Sequence, residues 1–302
     1  MSRRSVGLLL RGAVTVAALV LIARALGSEA IWDALRVIQP VWLVVATLAL
    51  AGQIALSAQR WRCTAGALGV TLRPGLALRE YWLAVLGNTV LPGGVLGDVG
   101  RAFRLRAQAG LGAAAETVVI ERLAGQLALG LVTLLGMSAW LWPQPAALAL
   151  TSGAIGLIAA LWAGLQLSRA GQGLVARMLG RLRCAWIEAG IWRIQLGLSA
   201  AILGCNLLGF WAAAQAVGVA LDLWAALFVL PLTLTAMLLP VSVNGWGLRE
   251  GTAALLWPLA GITPAMAVAA SVIFGLSALL AALPGVIVPL ARWSGHPKRA
   301  GG

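Results

Sequence analysis

Apolar residues in this chain run in long blocks. Residues 6–26, 41–59, 118–140, 148–167, 196–217 and 265–290 are each almost continuously hydrophobic. A helix needs about 20 such residues to cross ~30 Å of hydrocarbon, so each block predicts a membrane span. Shorter apolar runs lie between them, at 76–90, 223–239 and 248–260. No stretch alternates in polarity over about ten residues, as the strands of a membrane β-barrel do. The predicted fold class is all-α: a polytopic integral membrane helical bundle of about six to eight spans, in a single transmembrane domain over residues 1–302.

The polar positions set the topology. Within residues 28–40, Ile31, Trp32, Leu35 and Ile38 share one face and Glu29, Asp33 and Arg36 are polar, which predicts an interfacial helix on the outside. Arg60, Arg62, Arg73 and Arg79 precede the 76–90 run or lie at its start, and Arg101, Arg104 and Arg106 follow it. The excess of basic residues in cytosolic loops puts both clusters on the same face. A segment that starts and ends on one face is a re-entrant hairpin. Residues 168–193, with Arg169, Arg177, Arg181, Arg183 and Arg193, form the main cytosolic loop, and the tail 292–302 carries Arg292, Lys298 and Arg299 on the same side. Arg24 and Arg36 fall outside. Both termini are expected in the cytoplasm.

The last third has two solutions. Passing from Asp222 outside to Arg292 inside takes three spans, or one hairpin and one span. The run 248–260 is short for a crossing of about 20 residues, which favours a hairpin. Two hairpins inserted from opposite faces are what an inverted repeat produces, and broken helices at matched positions are the best sequence pointer to a transport site.

Composition narrows the classes. The chain has 302 residues, 61% hydrophobic and 10% charged, against about a quarter charged in soluble domains. Its net charge of +13 is accounted for by orientation in the membrane and by an anionic lipid surface. It gives no reason to expect nucleic acid as a partner. Ser2-Arg-Arg4 precedes an apolar run with no small-residue cleavage pattern, so 6–26 reads as the first span. Cys63, Cys184 and Cys205 lack metal-ligand spacing, and His296 is the sole histidine. No metal site, disulfide or cofactor is expected. The 14 tryptophans lie mostly near span ends, as an aromatic belt does.

Two glycine-punctuated interruptions carry the candidate chemistry. The first is Leu91-Pro-Gly-Gly-Val-Leu-Gly-Asp-Val-Gly-Arg-Ala-Phe-Arg104, and the second is Leu239-Pro-Val-Ser-Val-Asn-Gly-Trp-Gly-Leu-Arg-Glu250. Non-helical backbone survives at membrane depth only where protein or water satisfies it. Asp98 is placed to cap a helix through Arg101 and Arg104, and Ser242 or Asn244 to cap one starting near Gly245. Helix starts with arginines nearby suit a phosphate or another anionic head group. The candidate head-group residues are Gly93, Gly94, Asp98, Arg101, Glu121, Arg122, Asn244, Arg249 and Glu250. Each has a plain structural reading beside it. The glycines permit turns, Asp98 pairs locally with Arg101, Glu121 and Arg122 snorkel to the surface, and Arg249-Glu250 lies in a cytosolic turn if that segment spans. An ionised group inside the membrane costs roughly 2.5–3.5 kcal/mol on insertion scales, which makes Arg249-Glu250 the strongest functional candidate.

At these motifs the chain resembles the transmembrane-region family of lysylphosphatidylglycerol synthases, whose free-standing members are described as flippase-like. The resemblance runs from about residue 40 to 290 and rests on Asn88 through Leu105, on Val119-Ile-Glu-Arg-Leu-Ala-Gly125, on Leu239-Pro…Asn244-Gly-Trp-Gly-Leu-Arg-Glu-Gly251 and on Pro284-Gly285. Glu121 stands before Arg122 where the family pattern leads one to expect Asp. The resemblance implies a bacterial inner-membrane protein that translocates an anionic phospholipid or lipid-linked head group between leaflets. The full synthases carry a soluble aminoacyl-transferase domain after the membrane region, and the chain ending at Gly302 leaves no room for it, so no enzyme activity is expected. A second reading is a scaffold that presents lipid to a separate membrane-associated biosynthetic enzyme, with the basic loop as its dock. An intramembrane enzyme using Asp98, Glu116, Glu121 or Glu250 comes third, since no nucleophile–base pair stands out.

Overall fold

Ten α-helices carry the fold in this computed structural model, whose described residues are 20, 36, 38–91, 94–167, 174–238 and 244–286. The expected span 6–26 apart from Val20, the interfacial helix 28–40 apart from Arg36 and its last three residues, the tail 292–302, Gly93 and Ser242 lie outside them. The helices are α1 Pro40–Ala67, α2 Pro74–Val90, α3 Leu96–Ala109, α4 Leu111–Leu141, α5 Pro145–Leu167, α6 Leu174–Arg183, α7 Trp192–Ala216, α8 Leu223–Ala236, α9 Leu248–Leu256 and α10 Pro264–Ala282. Four of these segments are long and apolar enough to cross a membrane: Pro40–Ala67, Leu111–Leu141, Trp192–Ala216 and Pro264–Val286. The protein is a polytopic helical bundle.

Helix starts follow local chemistry. Prolines open α1, α2, α5 and α10, where a missing N–H costs nothing. Asp222 caps α8 by accepting from the backbone N–H of Trp224 and Ala225. Two expectations change. The loop 168–193 contains α6 and a π-helical turn, Cys184–Glu188, so much of it is ordered helix. The helix expected at 118 begins at Leu111, which places Glu121 and Arg122 three turns inside α4 rather than at its mouth.

Both expected hairpins are present. Helices α2 and α3 run antiparallel: Glu80 pairs with Arg104 near the open end and Asn88 with Asp98 near the tip. A Cβ on Gly97 would strike the carbonyl of Ala84, so only glycine lets the two arms touch. Helices α8 and α9 also fold back on each other, with the Trp257 indole donating to Thr233 Oγ1 at 3.0 Å. Helix α8 has 14 residues and α9 has nine, roughly 21 and 14 Å at 1.5 Å per residue. Neither arm spans ~30 Å of hydrocarbon.

The two hairpins belong to an inverted repeat. One constant offset lays Leu91-Pro92 on Leu239-Pro240, Val95 on Val243, Gly97 on Gly245 and Arg101 on Arg249 without a gap. The same offset lays α1 on α7, α2 on α8, α3 on α9 and α4 on α10. The equivalent helices α1 and α7 pack antiparallel along their length. The Gln39 N–H meets the Ala216 carbonyl at one end, and Gln195 donates to Thr64 at the other. Cross-contacts are reciprocal: α8 packs on α4, and α2 packs on α10. A glycine marks each crossing, since a Cβ at Gly136 would meet the Leu227 carbonyl and one at Gly285 the Trp82 carbonyl. Close backbone approach over small residues is the usual substitute for a hydrophobic driving force between helices in lipid.

Candidate functional site

Glu121 is the hub of a buried polar network where the first hairpin meets α1, α4 and α7. It is 1% exposed. Its Oε1 accepts from Arg60 Nη2 at 2.7 Å and from the Tyr81 hydroxyl at 3.1 Å. Its Oε2 accepts from Arg101 Nη2 at 3.2 Å. The expectation that Glu121 snorkels to a surface does not hold; a carboxylate this deep is tolerated because two guanidiniums and a phenol surround it.

Asp98 forms the second node. Its Oδ1 accepts from Arg101 at 2.9 Å, and its Oδ2 from Asn88 at 2.7 Å and from Arg122. It does not cap α3. That helix starts at Leu96, so Asp98 sits in its first turn and favours it through the helix dipole instead. The Gly97 N–H at the helix start is taken by Asn88 Oδ1 at 2.8 Å. Arg101 is wholly buried, with its Cζ 4.4 Å from the ring centres of both Trp61 and Tyr81. The local pairing with Asp98 is real, yet Arg101 also joins Asp98 to Glu121.

This network forms part of the wall of a cavity of about 400 Å³ between the two repeat units. Helix α1 contributes Gln53, Ser57 and Arg60; α4 contributes Glu121, Arg122 and Gln126; α7 contributes Ser199 and Asn206. Both hairpin tips reach it, the first through Gly94 and Val95 and the second through Asn244 and Gly245. Asn244 has a φ of +47°, a left-handed conformation that Asn tolerates better than most residues. It caps no helix, because α9 starts at Leu248. The Arg122 side chain is 38% exposed and also reaches the Gly94 carbonyl at 3.4 Å. Arg60, bonded to Ser199 at 3.1 Å, keeps a buried Nε with no hydrogen-bond partner. Three guanidiniums, Arg60, Arg101 and Arg122, stand against two carboxylates, Asp98 and Glu121, which leaves one positive charge for an anion to balance.

The second hairpin is built differently. Arg249 and Glu250 are wholly buried and pair with each other at 2.6 Å. Ser271 of α10 donates to Glu250 Oε1 at 3.0 Å and accepts from Arg249 Nε at 2.8 Å. The other Glu250 oxygen accepts the Gly247 N–H at 2.6 Å, so this helix start too is satisfied from within. The Arg249 guanidinium lies over the rings of Trp246 and Phe274. Neither residue lines the cavity.

Of the sequence candidates, the structure gathers Gly94, Glu121, Arg122 and Asn244 at the cavity, places Asp98 and Arg101 directly behind its wall, and sets Arg249 and Glu250 apart. Sequence reasoning missed Arg60, Tyr81, Asn88, Ser199, Gln126 and Asn206. Arg60 reads as one of a run of basic anchors, and the others are single polar residues within apolar blocks. Among the described residues no group of three or more His, Cys, Asp and Glu side chains is placed to hold a metal. No curated protein matches the chain. Residues 8–285 match the family described as the lysylphosphatidylglycerol synthase TM region, and the chain belongs to that family.

Proposed function

We propose that the protein translocates an anionic phospholipid, or a lipid-linked anionic head group, between membrane leaflets. The observation that carries this reading is the polar cavity reached by the tips of both inverted hairpins, with one uncompensated positive charge in its wall. The head-group phosphate meets the Arg122 guanidinium, with the charge of Arg60 beside it in the wall, since guanidinium is well matched to phosphate oxygens. Gln53, Gln126, Ser199, Asn206 and Asn244 exchange hydrogen bonds with the rest of the head group, and the acyl chains remain in lipid. The basic end of the bundle, with Arg79, Arg104, Arg181 and Arg193, faces the cytoplasm by the positive-inside rule, in a bacterial inner membrane. The inverted repeat supports alternating access, in which one unit rocks against the other around a fixed site. The protein acts on lipid position and makes no covalent change.

Purified protein in vesicles containing a fluorescent phosphatidylglycerol tests the reading. Label transferred from the inner to the outer leaflet faster than in protein-free vesicles supports it. Equal rates reject it. Stable recovery of one biosynthetic enzyme with a translocation-inactive protein would move the assignment to lipid presentation.

A further inference from the structure

The polar cavity has an apolar neighbour. A groove of about 280 Å³ lies between α4 and α7, walled by Ala124, Leu127 and Leu131, by Trp186 of the π-helical turn, and by Trp192 and Leu196. Ala128 and Ser199 line both spaces, so the groove meets the cavity at these two residues. Its lining is almost wholly apolar, and the two polar groups beside it are buried within the protein. Gln195 is 4% exposed and donates to Thr64 at 2.9 Å, but its Oε1 has no hydrogen-bond partner. The buried Trp186 Nε1 also lacks one.

Its depth is marked by its neighbours. Gln195 touches Thr64 near the C-terminal end of α1, and Trp186 follows the basic segment that contains Arg181 and Arg183. Tryptophans at such a boundary sit at the level of lipid head groups and ester linkages. An apolar slot with Trp186 and Trp192 in its wall, continuous with a cationic polar cavity, matches one kind of molecule, an amphiphile with an anionic head and an apolar chain.

We infer that this groove seats an acyl chain of a cytoplasmic-leaflet glycerophospholipid whose anionic head group occupies the cavity, the two parts of the molecule meeting at Ala128 and Ser199. The inference rests on the transport reading of the cavity and adds the substrate's chain and the leaflet from which it is taken. Access is lateral, between α4 and α7, so the chain never leaves an apolar surround. A water-soluble anion or a head group lacking a chain would leave the groove unused.

The test uses the full chain in nanodiscs containing phosphatidylglycerol with a diazirine midway along one acyl chain, with crosslinks mapped by mass spectrometry. Crosslinks are expected to concentrate on residues 124–131 and 192–199, above the lipid-facing Leu276, Leu279 and Leu280 of α10. Leu131→Trp and Leu196→Trp fill the groove. Each should lower that labelling to the level of the α10 leucines, because the indole occupies the space the chain would take. Leu196 is 63% exposed, so its substitution leaves the packing of the bundle intact. Labelling spread evenly over all lipid-facing helices, or undiminished in folded Leu196→Trp, overturns the inference. The vesicle assay keeps the two readings apart. Groove labelling in a protein that moves no lipid rejects transport and keeps the groove; rapid transport with even labelling does the reverse.

Discussion

Arg101 and Arg249 occupy equivalent positions in two oppositely directed hairpins, and each guanidinium is buried over two aromatic rings beside a carboxylate. Their surroundings divide the work. Arg101 belongs to the network behind the cavity wall, through Asp98 and Glu121. Arg249 is closed off with Glu250 and Ser271 and fastens α9 to α10.

Glu250→Gln therefore acts on stability. It leaves the Arg249 charge buried without its counter-ion, at a cost of about 3–5 kcal/mol. Thermal unfolding in detergent should shift down by several degrees, and translocation should fall only as far as folded protein does. A variant with unchanged melting and abolished transport would place Glu250 on the substrate path instead.

Arg122→Ala acts on function. Its side chain is 38% exposed to the cavity, and Asp98 retains Arg101 and Asn88 as partners. Melting should stay close to wild type. Losing a charge-assisted hydrogen bond worth about 1.5–3 kcal/mol lowers the affinity for anionic lipid roughly 10- to 100-fold. Arg122→Lys keeps the charge without the planar fork and should recover part of it, as read by lipid-binding titration.

Gly97→Ala should open the first hairpin. The new methyl meets the Ala84 backbone, and overpacking of this kind costs about 1–3 kcal/mol. Gly130→Ala in α4 is the control, because a Cβ there meets nothing within 4 Å. Removing a glycine from a helix interior gains about 0.5–1 kcal/mol. Opposite shifts in melting temperature are expected from the same chemical change.

Water access separates the cavity from the fastened second hairpin. In a background with Cys63, Cys184 and Cys205 replaced, Gln126→Cys and Asn206→Cys should react with a charged thiol reagent. Ser271→Cys should not, since Ser271 is wholly buried. Reaction at position 271 with protection at 126 would reverse the assignment of the two regions.

Much of the fold was legible in the sequence. Apolar block length gave the helices, and basic clusters on both sides of residues 76–90 gave a hairpin that the structure contains. The second hairpin followed from a run too short to cross. The site was legible only in part. Charge stands out in an apolar chain, so Asp98, Arg101, Glu121, Arg122, Arg249 and Glu250 were visible as residues. Their roles were not, because burial and partners are set by packing between distant segments: Arg60 reaches Glu121 and Ser199 only once α1 lies against α4 and α7. The helix starts looked free for an anion, but Asn88 and Glu250 occupy them. Asn88 stands in the sequence as one uncharged polar residue at the end of an apolar run, and its bond to Gly97 depends on the close contact between the two arms.

The most direct test is the translocation rate of labelled phosphatidylglycerol in vesicles holding equal amounts of folded wild-type and Arg122→Ala protein. Wild type is expected to exceed protein-free vesicles clearly, and Arg122→Ala to fall about tenfold or more below wild type. Equal rates for wild type and Arg122→Ala, or no rate above protein-free vesicles, would contradict transport through this cavity.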